Sequence, residues 1–165
     1  MLFILIGIPG SGKSTIAKQI STHICEADLF PGLYREGKIQ SHLLKNAHED
    51  CMKKTEEFML QWAETIVVAN TNLDSKSILV YVELALRYSY KVQMVLPKYN
   101  LLHYEVQQPR LEFQMNHIVQ LRSIGEKIVP LDAIERMTNQ FMWIEKKIRP
   151  FEKETDPSFW KQYLK

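Results

Sequence analysis

Residues 2–14 set the tightest limit on what this chain can fold into. Leu2-Phe3-Ile4-Leu5-Ile6 is an unbroken apolar run ending at Gly7. A run without polar alternation predicts a strand buried on both faces. Gly7-Ile8-Pro9-Gly10-Ser11-Gly12-Lys13-Ser14 follows and fits G-x-x-x-x-G-K-[ST] at every fixed position. A helix is expected from about Lys13 to Ser21. The pattern thus has the strand before and the helix after that a phosphate-binding loop requires.

Each residue type in the loop has a physical reason. Glycines let the backbone curl until several N–H groups point at one phosphate. The helix N-terminus adds its positive dipole end. Lys13 is expected to reach the β- and γ-phosphates, and the Ser14 hydroxyl to ligate Mg²⁺. The expected nucleotide-binding set is Gly7, Pro9, Gly10, Ser11, Gly12, Lys13, Ser14 and Thr15. This predicts binding of a nucleoside triphosphate such as ATP with Mg²⁺. What the nucleotide is used for is not fixed by the loop.

Further elements follow at regular intervals. His23–Ala27, Thr65–Ala69 and Lys91–Leu96 read as strands, and Ile128-Val129 as a short last one. Apolar residues recur at helical spacing over Ser41–Ala63, Ser75–Tyr90 and Leu131–Ile148, and Arg110–Ser123 is moderately helical. Asp156-Pro157 reads as a cap with proline at the first helical position. It should open a short helix carrying Phe159, Trp160 and Tyr163, aromatics expected to pack back on the domain. Alternating strands and helices imply an α/β architecture with a mainly parallel sheet. Ligands in such sheets bind beyond the carboxyl ends of the strands.

Two strand ends therefore carry candidate residues. Asp28 closes the second strand. If that strand lies beside the first, Asp28 sits near the γ-phosphate, where a kinase needs a base to accept the acceptor's proton. Glu26 is a competing carboxylate that strand alternation should point the other way. Asn70-Thr71-Asn72 follows the third strand. Many phosphate-loop enzymes place an acid near there to support Mg²⁺, but Ala69-Asn70 supplies none. Asn70 and Asn72 could bond a substrate, orient Asp28, or form only a polar turn.

Composition narrows the field. The chain has 165 residues, with Lys+Arg 21 against Asp+Glu 19, for a net charge of +2. That excludes a strongly basic nucleic-acid wrapper and an acidic tail protein, but leaves room for a local basic patch. No long Gly/Ser/Pro-rich linker or repeat appears, which favours one domain. Cys25 and Cys51 form neither a disulfide framework nor a zinc cluster. Free thiols, and an apolar start lacking a basic lead and cleavage site, lead us to expect a cytoplasmic protein with no membrane span.

Several segments together resemble a known family. They are G-I-P-G-S-G-K-S at 7–14, E-A-D-L-F at 26–30, A-H at 47–48 and T-N-L at 71–73. V-Y-V-E-L-A-L-R-Y-S-Y-K-V at 80–92 and I-V-P-L-D-A-I-E-R-M at 128–137 continue the match. The chain resembles the kinase domain of phage-type polynucleotide 5′-kinases, and a related group of animal ATP-binding proteins. The resemblance covers about residues 1–148 and leaves 149–165 as a C-terminal extension. It implies a kinase-like P-loop NTPase, a three-layer sandwich with a sheet of about five parallel strands. It implies transfer of the ATP γ-phosphate to a 5′-hydroxyl of DNA or RNA; the phage enzymes also carry a phosphatase domain, for which 165 residues leave no length, so kinase activity alone is expected. Lys13 and Ser14 would hold phosphate and Mg²⁺, and Asp28 would be the general base.

The chain departs from that pattern at three places. Phage kinases have Asp where Asn70 stands, and the animal group has Asp where Ala69 stands. The arginine that follows the base meets Pro31, with Arg35 close enough to compensate by binding acceptor phosphate. The lid arginine meets Ser123-Ile124-Gly125, flanked by Arg122 and Lys127. Such an arginine is worth about 10³–10⁵ in rate, and Arg122 or Arg110 is expected to substitute. A kinase for a nucleoside or other small metabolite, and a non-catalytic ATP-binding regulatory module, are the alternatives. His48 is expected on the side of its helix shared by Leu44 and Cys51. Arg35 and Lys38 flank a loop-like stretch with Gly32 and Gly37.

Overall fold

The computed structural model describes residues 1–97 and 129–165. Among these residues, four parallel strands form the central sheet: β1 (Leu2–Leu5), β2 (Ile24–Cys25), β5 (Ile66–Val68) and β6 (Val92–Val95). Their order is β2-β5-β1-β6. Leu2 pairs with Ile66 on one side and Val92 on the other, and Ile24 pairs with Val67. The first strand is central, as its continuous apolar run predicts. The second is not its neighbour: β5 lies between them. Of the expected fifth strand, Ile128 lies outside the described residues, as does the helix expected over Arg110–Ser123.

Strand alternation divides the core into two layers. Leu5, Val67 and Ala69 pack with Phe3, Ile24 and Val95 against α1 (Lys13–Ile20), through Ile16, Ala17 and Ile20. Leu2, Ile4, Ile6, Cys25, Ile66, Val68, Val92 and Met94 face the other way. There they meet α2 (Leu44–Leu60), α3 (Ser75–Arg87) and α4 (Leu131–Ile148). The result is an α/β fold with helices on both faces of a parallel sheet. Leu2, Ile4, Leu5 and Ile6 are fully buried, each worth ~1.5–3 kcal/mol. That outweighs any single hydrogen bond in the loop that follows, so the sheet dictates where the loop sits.

Several element ends differ from expectation for local reasons. α2 and α3 stop before Ala63 and Tyr90, at residues with left-handed φ: Trp62 at 57° and Ser89 at 58°. In each case the next amide reaches back five residues, Ala63 N–H to Phe58 O and Tyr90 N–H to Ala85 O, both close to 3 Å. These are Schellman ends built without glycine, so no glycine advertises them. Residues 41–43 form a 3₁₀ turn before α2. The loop-like stretch around Gly37 is a hairpin, β3 (Tyr34–Arg35) with β4 (Lys38–Ile39). Glu36 and Gly37 both have positive φ, 51° and 75°, the two-residue turn that suits strand twist.

The C-terminal segment packs on this body. Asp156 caps α5 (Pro157–Tyr163) by accepting from Ser158 N–H at 2.8 Å, with Pro157 at the first helical position. α5 lies against α3. Trp160 is fully buried and donates its indole N–H to Glu154 O at 3.1 Å. Val92 N–H donates to Thr155 O at 2.9 Å, tying this segment to the start of β6.

Candidate functional site

The loop after β1 has the shape its glycines predict. Gly10 and Gly12 have φ of 82° and 84°, where a side chain would be strained. A Cβ on Gly7 would stand 2.6 Å from Ser11 Oγ, so any larger residue there would force that hydroxyl to move. Gly7 N–H donates to Thr71 O at 3.0 Å and fastens the loop to the end of β5. Asn72, with φ of 50°, donates its amide to Leu5 O at 2.8 Å. The β5 turn thus braces the last residue of β1.

Lys13 begins α1 and is buried. Its ammonium donates to Gly7 O at 2.8 Å and Ile8 O at 2.9 Å, so the side chain folds over its own loop. Ser11 Oγ is buried, with no hydrogen-bond partner among the described residues. An orphaned buried hydroxyl costs about 1–3 kcal/mol. Together with the curled backbone and a lysine at the rim, it fits a polyphosphate ligand. Pro9 and Gly10 are half-buried and Thr15 is exposed at the first turn of α1.

The acids distribute themselves differently from expectation. Cys25 and Ala27 point into the core, at 0% and 5% exposure. Glu26 is half-buried and Asp28 exposed. Glu26 does not turn away from the loop: Ser14 Oγ donates to its Oε2 at 3.3 Å. Asp28 follows β2 in a 3₁₀ turn, Ala27–Leu29, and its Oδ1 accepts from Tyr34 O–H at 3.1 Å. Asp28 reaches this rim from an edge strand two positions away from β1, not from a neighbouring strand.

Asn70 holds that turn in place. Its Oδ1 accepts from Ala27 N–H at 2.8 Å. Its Nδ2 donates to Tyr81 Oη at 3.1 Å and Cys51 Sγ at 3.3 Å. The amide hydrogen bonds of Asn70 and Asn72 run to protein groups, an arrangement that agrees with an orienting role, Asn70 toward the Asp28 turn and Asn72 toward the loop. Burial pushes Cys25 up to about 12 and raises Cys51 and Tyr81 above their ordinary values. Burial therefore favours the neutral forms of the cluster behind Asn70 and of both thiols.

Arg35 and Lys38 are exposed partners on the β3–β4 hairpin. His48 stands one turn from Leu44 and Cys51 on α2, exposed at the margin of that side while Cys51 is 2% exposed. Arg110, Arg122 and Lys127 lie outside the described residues. An open groove of about 280 Å³ beside the Asp28 turn is lined by Phe30, Asn46, Glu49, Asp50 and Lys53. Sequence reasoning missed Tyr34 and discounted Glu26. The spacing of Glu26 and Asp28 around a buried Ala27 was the available signal.

A strand, a curled glycine loop, a lysine at the head of a helix and a parallel sheet define a P-loop NTPase. A family model described as an AAA domain matches residues 2–107. The chain belongs to this P-loop family, which includes kinases, and its activity is of the nucleotide-binding, kinase-like kind. Among the described residues, no helix is long and apolar enough to cross a membrane.

Proposed function

We propose that this protein is an ATP-dependent kinase that phosphorylates the 5′-hydroxyl end of DNA or RNA. The observation that carries the reading is the Asp28 carboxylate, held by Tyr34 and by the Asn70-anchored turn, two residues from the carboxylate that touches Ser14. A carboxylate two residues from the partner of the loop serine supports a proton acceptor close to the phosphate loop. The exposed Arg35 and Lys38 on the adjoining hairpin support an anionic acceptor. Phosphate contacts of that kind position a strand without reading its bases.

In this mechanism the acceptor's 5′-oxygen attacks the γ-phosphorus of ATP. A new O–P bond forms as the bond to the β,γ-bridging oxygen breaks, and ADP leaves. The acceptor's proton passes to Asp28 and then to solvent. Lys13 exchanges its loop carbonyls for phosphate oxygens, and the loop amides hold the β-phosphate. Ser14 would hold Mg²⁺, which would supply neutralising charge to the phosphate oxygens. Arg122 or Arg110 completes the charge stabilisation. Residues 1–148 form the kinase domain and 149–165 its extension, acting in the reducing cytoplasm.

The test is transfer of label from γ-labelled ATP to 5′-hydroxyl oligonucleotides, beside the same oligonucleotides already 5′-phosphorylated. Label on the first set alone, weakening steeply with salt, is the expected result. No label on either set, with ATP bound by the same sample, would refute the acceptor. The groove lined by Glu49, Asp50 and Lys53 favours a second reading, a small-molecule hydroxyl acceptor: two carboxylates against one lysine suit a neutral or cationic compound. Phosphorylation of such a compound, insensitive to salt, would support it.

A further inference from the structure

Ala69 and Asn70 follow β5 without a carboxylate, and the Asn70 amide is bonded to Ala27, Cys51 and Tyr81. Among the described residues, no three His, Cys, Asp or Glu side chains gather into a metal cage. A cation in this site would therefore be held jointly by nucleotide phosphates and a few protein oxygens. We propose that Glu26 is the carboxylate that supports the divalent cation at Ser14, in place of an acid at the end of β5.

The geometry is local and specific. A serine hydroxyl has one proton and two lone pairs. Ser14 directs its proton to Glu26 Oε2 at 3.3 Å, which leaves its lone pairs for a cation. Mg²⁺ selects oxygen donors and uses one or two carboxylates beside substrate phosphates. Glu26 places negative charge beside that hydroxyl, as outer partners of metal ligands do. The buried side chains of Cys25 and Ala27 fix the alternation that turns Glu26 outward. Glu26 and Asp28 thus divide the work: Glu26 serves the loop serine, and Asp28, bonded to Tyr34 of the hairpin, serves the acceptor.

This inference rests on the phosphate-loop part of the proposed function and not on the acceptor. The test uses the full chain, ATP and Mn²⁺, reading bound Mn²⁺ by electron paramagnetic resonance. ATP binding in excess EDTA is measured by calorimetry on the same samples. Glu26→Gln is expected to weaken Mn²⁺ in the ATP complex by about 10–100-fold, while ATP affinity in EDTA does not fall. Glu26→Asp is expected to keep part of the cation affinity. Unchanged Mn²⁺ affinity in Glu26→Gln would overturn the proposal. If that variant does not fold, Glu26→Asp decides: a partial loss supports the proposal and an unchanged affinity overturns it. No ATP binding by the unmodified chain would overturn both this proposal and the nucleotide reading. Oligonucleotide labelling is absent from the experiment, so the acceptor stands or falls separately.

Discussion

Asn70→Ala probes the link between the core and the candidate base. In the native fold the Asn70 amide makes contacts to Ala27 N–H, Tyr81 Oη and Cys51 Sγ. Alanine removes all three. Tyr81 O–H keeps Cys51 Sγ at 3.4 Å, so that pair remains satisfied. Ala27 N–H has no such substitute, and its residue is 5% exposed. A stranded buried donor costs about 1–3 kcal/mol. For a domain of this size each kcal/mol lowers the midpoint by roughly 2–4 °C, so the expected fall is about 2–12 °C. Urea and thermal melts followed by circular dichroism give both numbers. ATP affinity should hold, because the described hydrogen bonds of the phosphate loop do not use Asn70. Turnover should drop, because Ala27 precedes Asp28. Asn70→Asp should recover part of that turnover, since a carboxylate still accepts from Ala27 N–H. A loss of stability below about 0.5 kcal/mol, the range of neutral surface changes, would refute the reasoning.

Three other outcomes follow from the same structure. Trp160→Ala should cost about 3–5 kcal/mol, read from urea melts, because the indole is fully buried; a loss under about 1 kcal/mol would mean that α5 is not integral to the body. Stability should be steady below about pH 9 and decline toward about pH 12. Cys25 keeps its proton to about 12 in the folded state against 9.0 ordinarily, so the unfolded chain binds fewer protons across that window and gains as pH rises. Urea midpoints across pH 7–11 check the sign, and a rise with pH would contradict it. Arg122→Ala should lower turnover by about 10³–10⁵ if that residue is the lid arginine, with ATP affinity nearly kept, and single-turnover kinetics separates the two.

Legibility in the sequence followed the range of the forces involved. The strand, loop and start of α1 could be read because local backbone demands select Gly7, Gly10, Gly12 and Lys13. α4 spans the expected Leu131–Ile148, framed by Pro130 and Pro150 and by its apolar period. Asp156-Pro157 announced α5. The Trp62 and Ser89 helix ends could not be read, because left-handed φ at a non-glycine residue leaves no mark in composition. The hairpin rests on two-residue strands without apolar alternation. The order of the strands depends on contacts distant in sequence, so β2 could be found but not placed beyond β5. Glu26 was discounted on strand alternation, yet it lies just past the two-residue β2 and bonds Ser14.

The proposed phosphoryl transfer depends on Asp28. Its most direct test compares Asp28→Asn with the unmodified chain in a single-turnover reaction using γ-labelled ATP, Mg²⁺ and a 5′-hydroxyl oligonucleotide, with ATP affinity measured on the same samples. With Asp28 as the proton acceptor, the variant should show near-wild-type ATP binding and almost no labelled oligonucleotide. Labelling by Asp28→Asn at a rate comparable to the unmodified chain would contradict that role.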